Sequence, residues 1–144
     1  MGTRLGNHEF NTVLMQLGRD YDIYAPKRFA DRGRFSDTDL IRYDTITRIE
    51  EIVWKEKSQF SPKDIVIPVT QTLFQFSEDE YREPTISDRP MLVFLRPCDI
   101  NGLHRLDTIY LRNGKDEDFY YKRLREEIKF VMIECTTGFA NCFC

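Results

Sequence analysis

PMLVFLRPCDINGLHRLDTIY, Pro90 to Tyr110, decides the fold. Met91 to Leu95 is an unbroken apolar run of strand length, the pattern of a strand covered on both faces of a sheet. Arg96-Pro97-Cys98-Asp99 follows at its carboxyl end. Asp99 is placed to cap a helix running through Tyr110, with Ile100, Leu103, Leu106 and Ile109 recurring at offsets of three. Asn113-Gly114 signals a turn. Asp118 to Glu127 reads as a second helix carrying Phe119, Tyr120 and Tyr121, and Phe130 to Ile133 as another apolar strand ending at Glu134-Cys135. Strands joined by a helical crossover run parallel. The fold class expected is therefore α/β: an open, at least partly parallel sheet with flanking helices in a single compact domain.

Working towards the amino terminus, Asn7 to Gly18 reads as a short helix capped by Asn7 and ended by Gly18, with Phe10, Val13, Leu14 and Leu17 at helical spacing. Tyr21 to Ala25 reads as a strand stopped by Pro26, and Leu40 to Ile46 as another, with a turn from Gly33 to Ser36 between them. Thr47 to Lys57 has the spacing of a short helix with Ile49, Ile52, Val53 and Trp54 on its apolar side. Ser61-Pro62-Lys63-Asp64 is a helix-start pattern. It runs into β-branched Ile65 to Val69, which predicts one helical turn and then a strand. Leu73 to Phe76 is a further candidate strand, and the polar stretch Ser77 to Pro90, with Pro84 and Pro90, a loop.

The composition narrows the function classes. A chain of 144 residues buries about two-thirds of its unfolded surface and needs no disulfides to be stable. Apolar residues make up 41% and charged residues 31%, which argues against a disordered tail or a disulfide-held mini-protein. A bilayer span needs ~20 apolar residues, and runs such as Ile65 to Thr70 are far shorter. His8, Glu9 and Asn11 stand where a secretion signal would place its apolar segment. The 21 Lys and Arg are interleaved with 24 Asp and Glu, whereas a nucleic-acid surface needs a one-sided basic patch. Lys122 to Arg125 runs straight into Glu126 and Glu127, the pattern of a solvated helix face, and Asp31 and Asp37 dilute the basic stretch Arg28 to Arg34. No nucleic-acid or membrane partner is expected, and the compartment expected is the reducing cytoplasm.

In that compartment clustered thiols mean metal or catalysis more often than disulfides. The four cysteines are Cys98, Cys135, Cys142 and Cys144. Ligands of open α/β sheets bind outside the carboxyl ends of the strands, so Cys98 and Cys135 are expected on one rim, with the loop Thr136 to Asn141 returning Cys142 and Cys144 to it. Soft thiolates select zinc, copper(I) or iron–sulfur clusters. The spacing matches neither a zinc ribbon nor a bacterial ferredoxin run. The competing reading is packing, since cysteine is also a small buried apolar group. Asp99 is a fifth candidate donor, or only the helix cap. A chain ending on Cys142-Phe143-Cys144 is expected to be a fragment cut at a functional motif. His8 and His104 stand far in sequence from any paired acid, no Ser–His–Asp or Cys–His set is visible, and Gly102, Gly114 and Gly138 are isolated, with no phosphate-cradling loop.

Beyond the cysteines, Tyr24-Ala25-Pro26, the string GRFSDTD from Gly33 to Asp39, Trp54-Lys55-Glu56-Lys57-Ser58, PVTQTLFQF from Pro68 to Phe76, Arg96-Pro97-Cys98-Asp99, Arg105-Leu106-Asp107, Tyr110-Leu111, Glu134-Cys135 and Asn141-Cys142-Phe143-Cys144 form a recognisable set. The chain resembles the N-terminal domain of the anaerobic sulfite reductase A-subunit family, within a wider group that includes sulfhydrogenase beta subunits. GRFSDTD is the element specific to the sulfite reductase branch. The resemblance implies an electron-transfer subunit that takes electrons from a flavin-bearing, NADH-oxidising partner and passes them to a sirohaem subunit reducing sulfite to sulfide. It implies cluster-ligand roles, for a 4Fe-4S centre, at Cys98, Cys135, Cys142 and Cys144, with Asp99 as an alternative ligand. Family members carry ferredoxin-type cysteine motifs downstream. Residues 1–144 would be the N-terminal α/β domain alone, not catalytic by itself and apo when isolated. The alternative is a non-redox docking module with structural zinc or packed core cysteines.

Overall fold

The computed structural model describes residues 2–35, 37–70, 72–82, 89–139 and 142. Its centre is the strand Met91–Leu95, buried from Leu92 onward. Numbered in chain order, the elements are α1 (Asn7–Leu17), β1 (Asp22–Phe29), β2 (Leu40–Thr45), β3 (Gln75–Phe76), β4 (Tyr81–Arg82), β5 (Met91–Leu95), α2 (Pro97–Arg112), α3 (Phe119–Glu126) and β6 (Ile128–Met132). The main sheet has the order β2-β1-β5-β6. β5 runs parallel to both β1 and β6, and β2 closes one edge antiparallel to β1. This is the open, partly parallel α/β sheet that the sequence predicts.

Alternation along the strands divides the core between two faces. Ile23 and Ala25 of β1 and Leu92 and Phe94 of β5 join Leu14 of α1 in one cluster. Val93 and Leu95 of β5 join Tyr43 of β2, Leu103 of α2 and Tyr121 of α3 in the other. Each such buried side chain stabilises the fold by roughly 1.5–3 kcal/mol relative to exposure. Among the described residues no helix is long and apolar enough to cross a membrane.

Several local expectations are corrected. β1 does not stop at Pro26 but continues to Phe29. Pro26 pairs opposite Tyr43, and its carbonyl accepts from Val53 N–H at 2.7 Å on the side away from β2. Its missing N–H therefore points away from the β1–β2 ladder, past the end of the β5 pairing at Tyr24, and no ladder bond is lost. Thr47 to Lys57 is not a helix. Only Ile49–Glu51 forms a 3-10 turn, after which Ile52 bridges to Lys27 and the backbone joins the edge of the sheet. Pro62–Ile65 forms the expected single turn, with Ser61 Oγ accepting from Lys63 N–H. No strand follows it: Val66 and Ile67 N–H both donate to Lys63 O, and Val66 enters the core unpaired. The strand expected over Leu73 to Phe76 shrinks to Gln75–Phe76, which forms a small hairpin with Tyr81–Arg82 inside the stretch expected to be loop. The cap of α1 is Gly6, not Asn7, and Gly6 N–H donates to Glu9 Oε2 at 2.8 Å.

Candidate functional site

The site is built where β5 hands over to α2. Pro97 fixes the first helical position, which needs no N–H. The Arg96 carbonyl accepts from Asp99 and Ile100 N–H, each at 3.0 Å. Cys98 is therefore the second residue of α2, at the carboxyl end of the central strand. β5 and β6 end in register, Leu95 opposite Met132, and Ile133 N–H donates to Leu95 O at 2.8 Å. Cys135 lies just beyond, so both cysteines leave the sheet at the same edge. The chain then turns back, with Cys142 N–H donating to Phe139 O at 3.1 Å.

A cavity of about 240 Å³ opens there, lined by Arg96, Cys98, Asp99, Phe139 and Cys142 against the segment 57–61. Cys98 and Cys142 thus share one cavity, and Cys135 is near enough for its charge to act on Cys98. No disulfide joins Cys98, Cys135 or Cys142 to one another. Among the described residues no three His, Cys, Asp or Glu side chains are close enough to grip a metal ion. Cys144 lies outside the described residues.

Charges around Cys98 oppose one another. Burial pushes its thiol upward first, then the Asp99 carboxylate and Cys142 add to the rise, while the Asp99 N–H pulls the other way. The helix amino terminus alone favours thiolate, but here burial and Asp99 outweigh it. Asp99 does not cap α2. It is the third helical residue, and Tyr43 O–H donates to its Oδ2 at 2.9 Å. Burial, with the Asp99 charge second, drives the Tyr43 hydroxyl far above its ordinary value and keeps it a donor.

Arg96 departs furthest from its pattern in the sequence, where it is equally a surface ion-pairing residue or a cationic neighbour of Cys98. It is 3% exposed. Its Nη2 donates to Glu56 O at 2.7 Å and Trp54 O at 3.3 Å, its Cζ stands 4.8 Å from the centre of the Phe139 ring, and its Nε has no acceptor among the described residues. Tyr43 and Phe139 are site residues the sequence did not single out. The only trace was position: Arg96 directly after a fully apolar strand has no solvent at its root. His104 is exposed on α2 with Nδ1 3.6 Å from Asp107 Oδ2, away from the thiols.

The residues fit a soft, anionic metal centre in kind. Thiols from three segments meet a buried cation whose Nε lacks an acceptor, the surroundings that a thiolate-held group would complete.

No protein-family model and no solved structure matches the chain. It is similar to sulfhydrogenase 2 subunit beta of Pyrococcus furiosus, 29% identical over 136 residues. The match covers 94% of this chain and 37% of that relative, so the chain spans little more than a third of the length of the curated relative it matches.

Proposed function

We propose that the chain is part of an electron-transfer subunit of a sulfur-metabolising oxidoreductase complex, with the rim at the start of α2 as its cluster site. The observation that carries this reading is the shared cavity of Cys98 and Cys142, with Cys135 leaving the adjacent parallel strand at the same edge. The similarity to a sulfhydrogenase beta subunit supports the complex-subunit character. The sequence elements quoted above, GRFSDTD foremost, favour an anaerobic sulfite reductase. In that assignment the chain relays electrons from a flavin-bearing, NADH-oxidising subunit to a sirohaem subunit that reduces sulfite to sulfide, and residues 1–144 are the N-terminal α/β unit.

Cys98, Cys135, Cys142 and Cys144 would hold an iron–sulfur cluster, 4Fe-4S in this assignment, with Asp99 as the alternative oxygen donor. Such a group supplies a one-electron couple when bound. The chain's own residues do the rest. The first turn of α2 aims backbone N–H groups at the sulfur of Cys98. Tyr43 fixes the Asp99 carboxylate by a hydrogen bond. Phe139 and Phe60 narrow the access of water to the thiols.

Anaerobic reconstitution with iron and sulfide tests the reading. A broad brown absorption that dithionite bleaches is the expected result. A colourless protein binding stoichiometric zinc overturns it in favour of a docking module. The wide spacing of donors among the described residues and the exposed Phe76 and Tyr81 of the β3–β4 hairpin are the features that reading would rest on.

A further inference from the structure

We infer that Arg96 is a positioning residue that sets the reduction potential of the thiol-held centre, its buried charge favouring the reduced state. The inference rests on the cluster reading above and adds to it the source of the potential.

Arg96 is the buried charged side chain among the described residues. Its neighbours give it partial charges only: two backbone carbonyls, from Trp54 and Glu56, and the face of Phe139. No carboxylate forms an ion pair with it among the described residues, and the nearby Asp99 carboxylate is taken up by the Tyr43 hydroxyl. A cation shut away from water without an anion is unfavourable, and a fold keeps one when the anion arrives with something else. The groups able to bring that charge are the thiols across the cavity, Cys98 and Cys142. They are neutral as thiols and become anionic when they bind a metal.

The guanidinium cannot lose its proton in the working range, so its charge is the same in both oxidation states. When the centre takes one electron from its donor, a reduced flavin or dithionite, its negative charge grows by one and no proton is exchanged with Arg96. Attraction to Arg96 therefore grows on reduction, and the water-poor cavity strengthens it. A purely structural role, strapping the segment 54–56 to the rim, would leave the couple unmoved.

A redox titration of the anaerobically reconstituted protein, followed by visible absorption and electron paramagnetic resonance, separates the two. Arg96→Gln retains an amide donor for the carbonyls and removes the charge; Arg96→Lys retains the charge. The equilibrium constant for reduction is expected to fall at least tenfold in Arg96→Gln, about 59 mV for a one-electron couple. It is expected to stay within threefold of wild type in Arg96→Lys. A cluster-loaded Arg96→Gln with the wild-type potential and only a lowered urea midpoint overturns the inference. Should Arg96→Gln not fold, Phe139→Leu uncovers the guanidinium to water. A smaller fall in potential supports the inference there, and no change overturns it. A wild-type protein that takes up no cluster at all refutes the cluster reading itself, by missing colour, not by an unshifted potential.

Discussion

The hydroxyl of Tyr43 and the carboxylate of Asp99, 56 positions apart in the chain, are joined by a hydrogen bond of 2.9 Å. The bond ties β2, at one edge of the sheet, to the first turn of α2, where Cys98 sits. Asp99 faces the half-buried rim, where a carboxylate without a donor is unfavourable. Its partner is a phenol that burial prevents from ionising.

Tyr43→Phe removes the donor and leaves the ring in the core. We expect a loss of about 1–3 kcal/mol, the cost of an unsatisfied buried acceptor, read as a lowered urea midpoint with an unchanged slope. Tyr43→Phe combined with Asp99→Asn should cost less than the sum of the two single changes. Strict additivity would show that the bond is not formed in solution.

Gly33 receives the chain at the turn between β1 and β2. Its N–H donates to Thr38 O at 2.7 Å, and a Cβ there would overlap Thr38 Oγ1 and lie 2.6 Å from the Thr38 carbonyl oxygen. The carbonyl is backbone and cannot rotate away. Gly33→Ala is expected to destabilise by roughly 1–3 kcal/mol, the range for forced overpacking. A thermal melt indistinguishable from wild type would contradict the turn geometry.

Glu51 sets an acid limit to stability. Burial alone would raise its pKa, but Lys27, the N–H and hydroxyl of Thr47 and the N–H of Arg48 more than offset this, and the carboxyl is held at about 2 against an ordinary 4.5. A carboxylate depressed in the folded state gives its stability in full above the unfolded value. That stability is lost as pH falls from about 4.5 towards about 2. Glu51→Gln should flatten this part of the stability–pH curve. A Glu51 carboxyl resonance titrating near its ordinary value would contradict the assignment.

Asp107 joins α2 to α3. It accepts from Arg125 Nε at 2.9 Å and Nη2 at 3.1 Å, and from Tyr121 O–H at 2.7 Å. Both ion-pair partners are largely shielded. Breaking a shielded pair by removing one partner typically costs about 3–5 kcal/mol. Asp107→Ala is expected at the lower end of that range, since the site borders solvent. A loss below about 0.5 kcal/mol, as for an exposed pair, would count against the packing of α3 on α2.

The parts of this fold legible in the sequence are those governed by local pattern. Five apolar residues in a row at Met91 are enough to mark a central strand, and Cys98 and Cys135 follow two such runs, so their common edge could be read from the chain alone. Pro26 misled because the rule that proline ends a strand depends on which side its missing N–H faces, and that is set by β2 and Val53. Thr47 to Lys57 has helical spacing, yet its donors are taken by Glu51 and Pro26, partners its own sequence does not announce. The burial of Arg96 was beyond local reading for the same reason: Trp54, Glu56 and Phe139 reach it from segments on either side of the strand it ends.

The claim on which the account turns is that thiols from separate segments serve one centre. Bound iron per chain, measured after anaerobic reconstitution of Cys98→Ser, Cys135→Ser and Cys142→Ser, tests it most directly. Concerted loss of iron and colour in all three, in variants that keep the wild-type unfolding midpoint, is the predicted result. Full iron retention in Cys135→Ser or Cys98→Ser would contradict it.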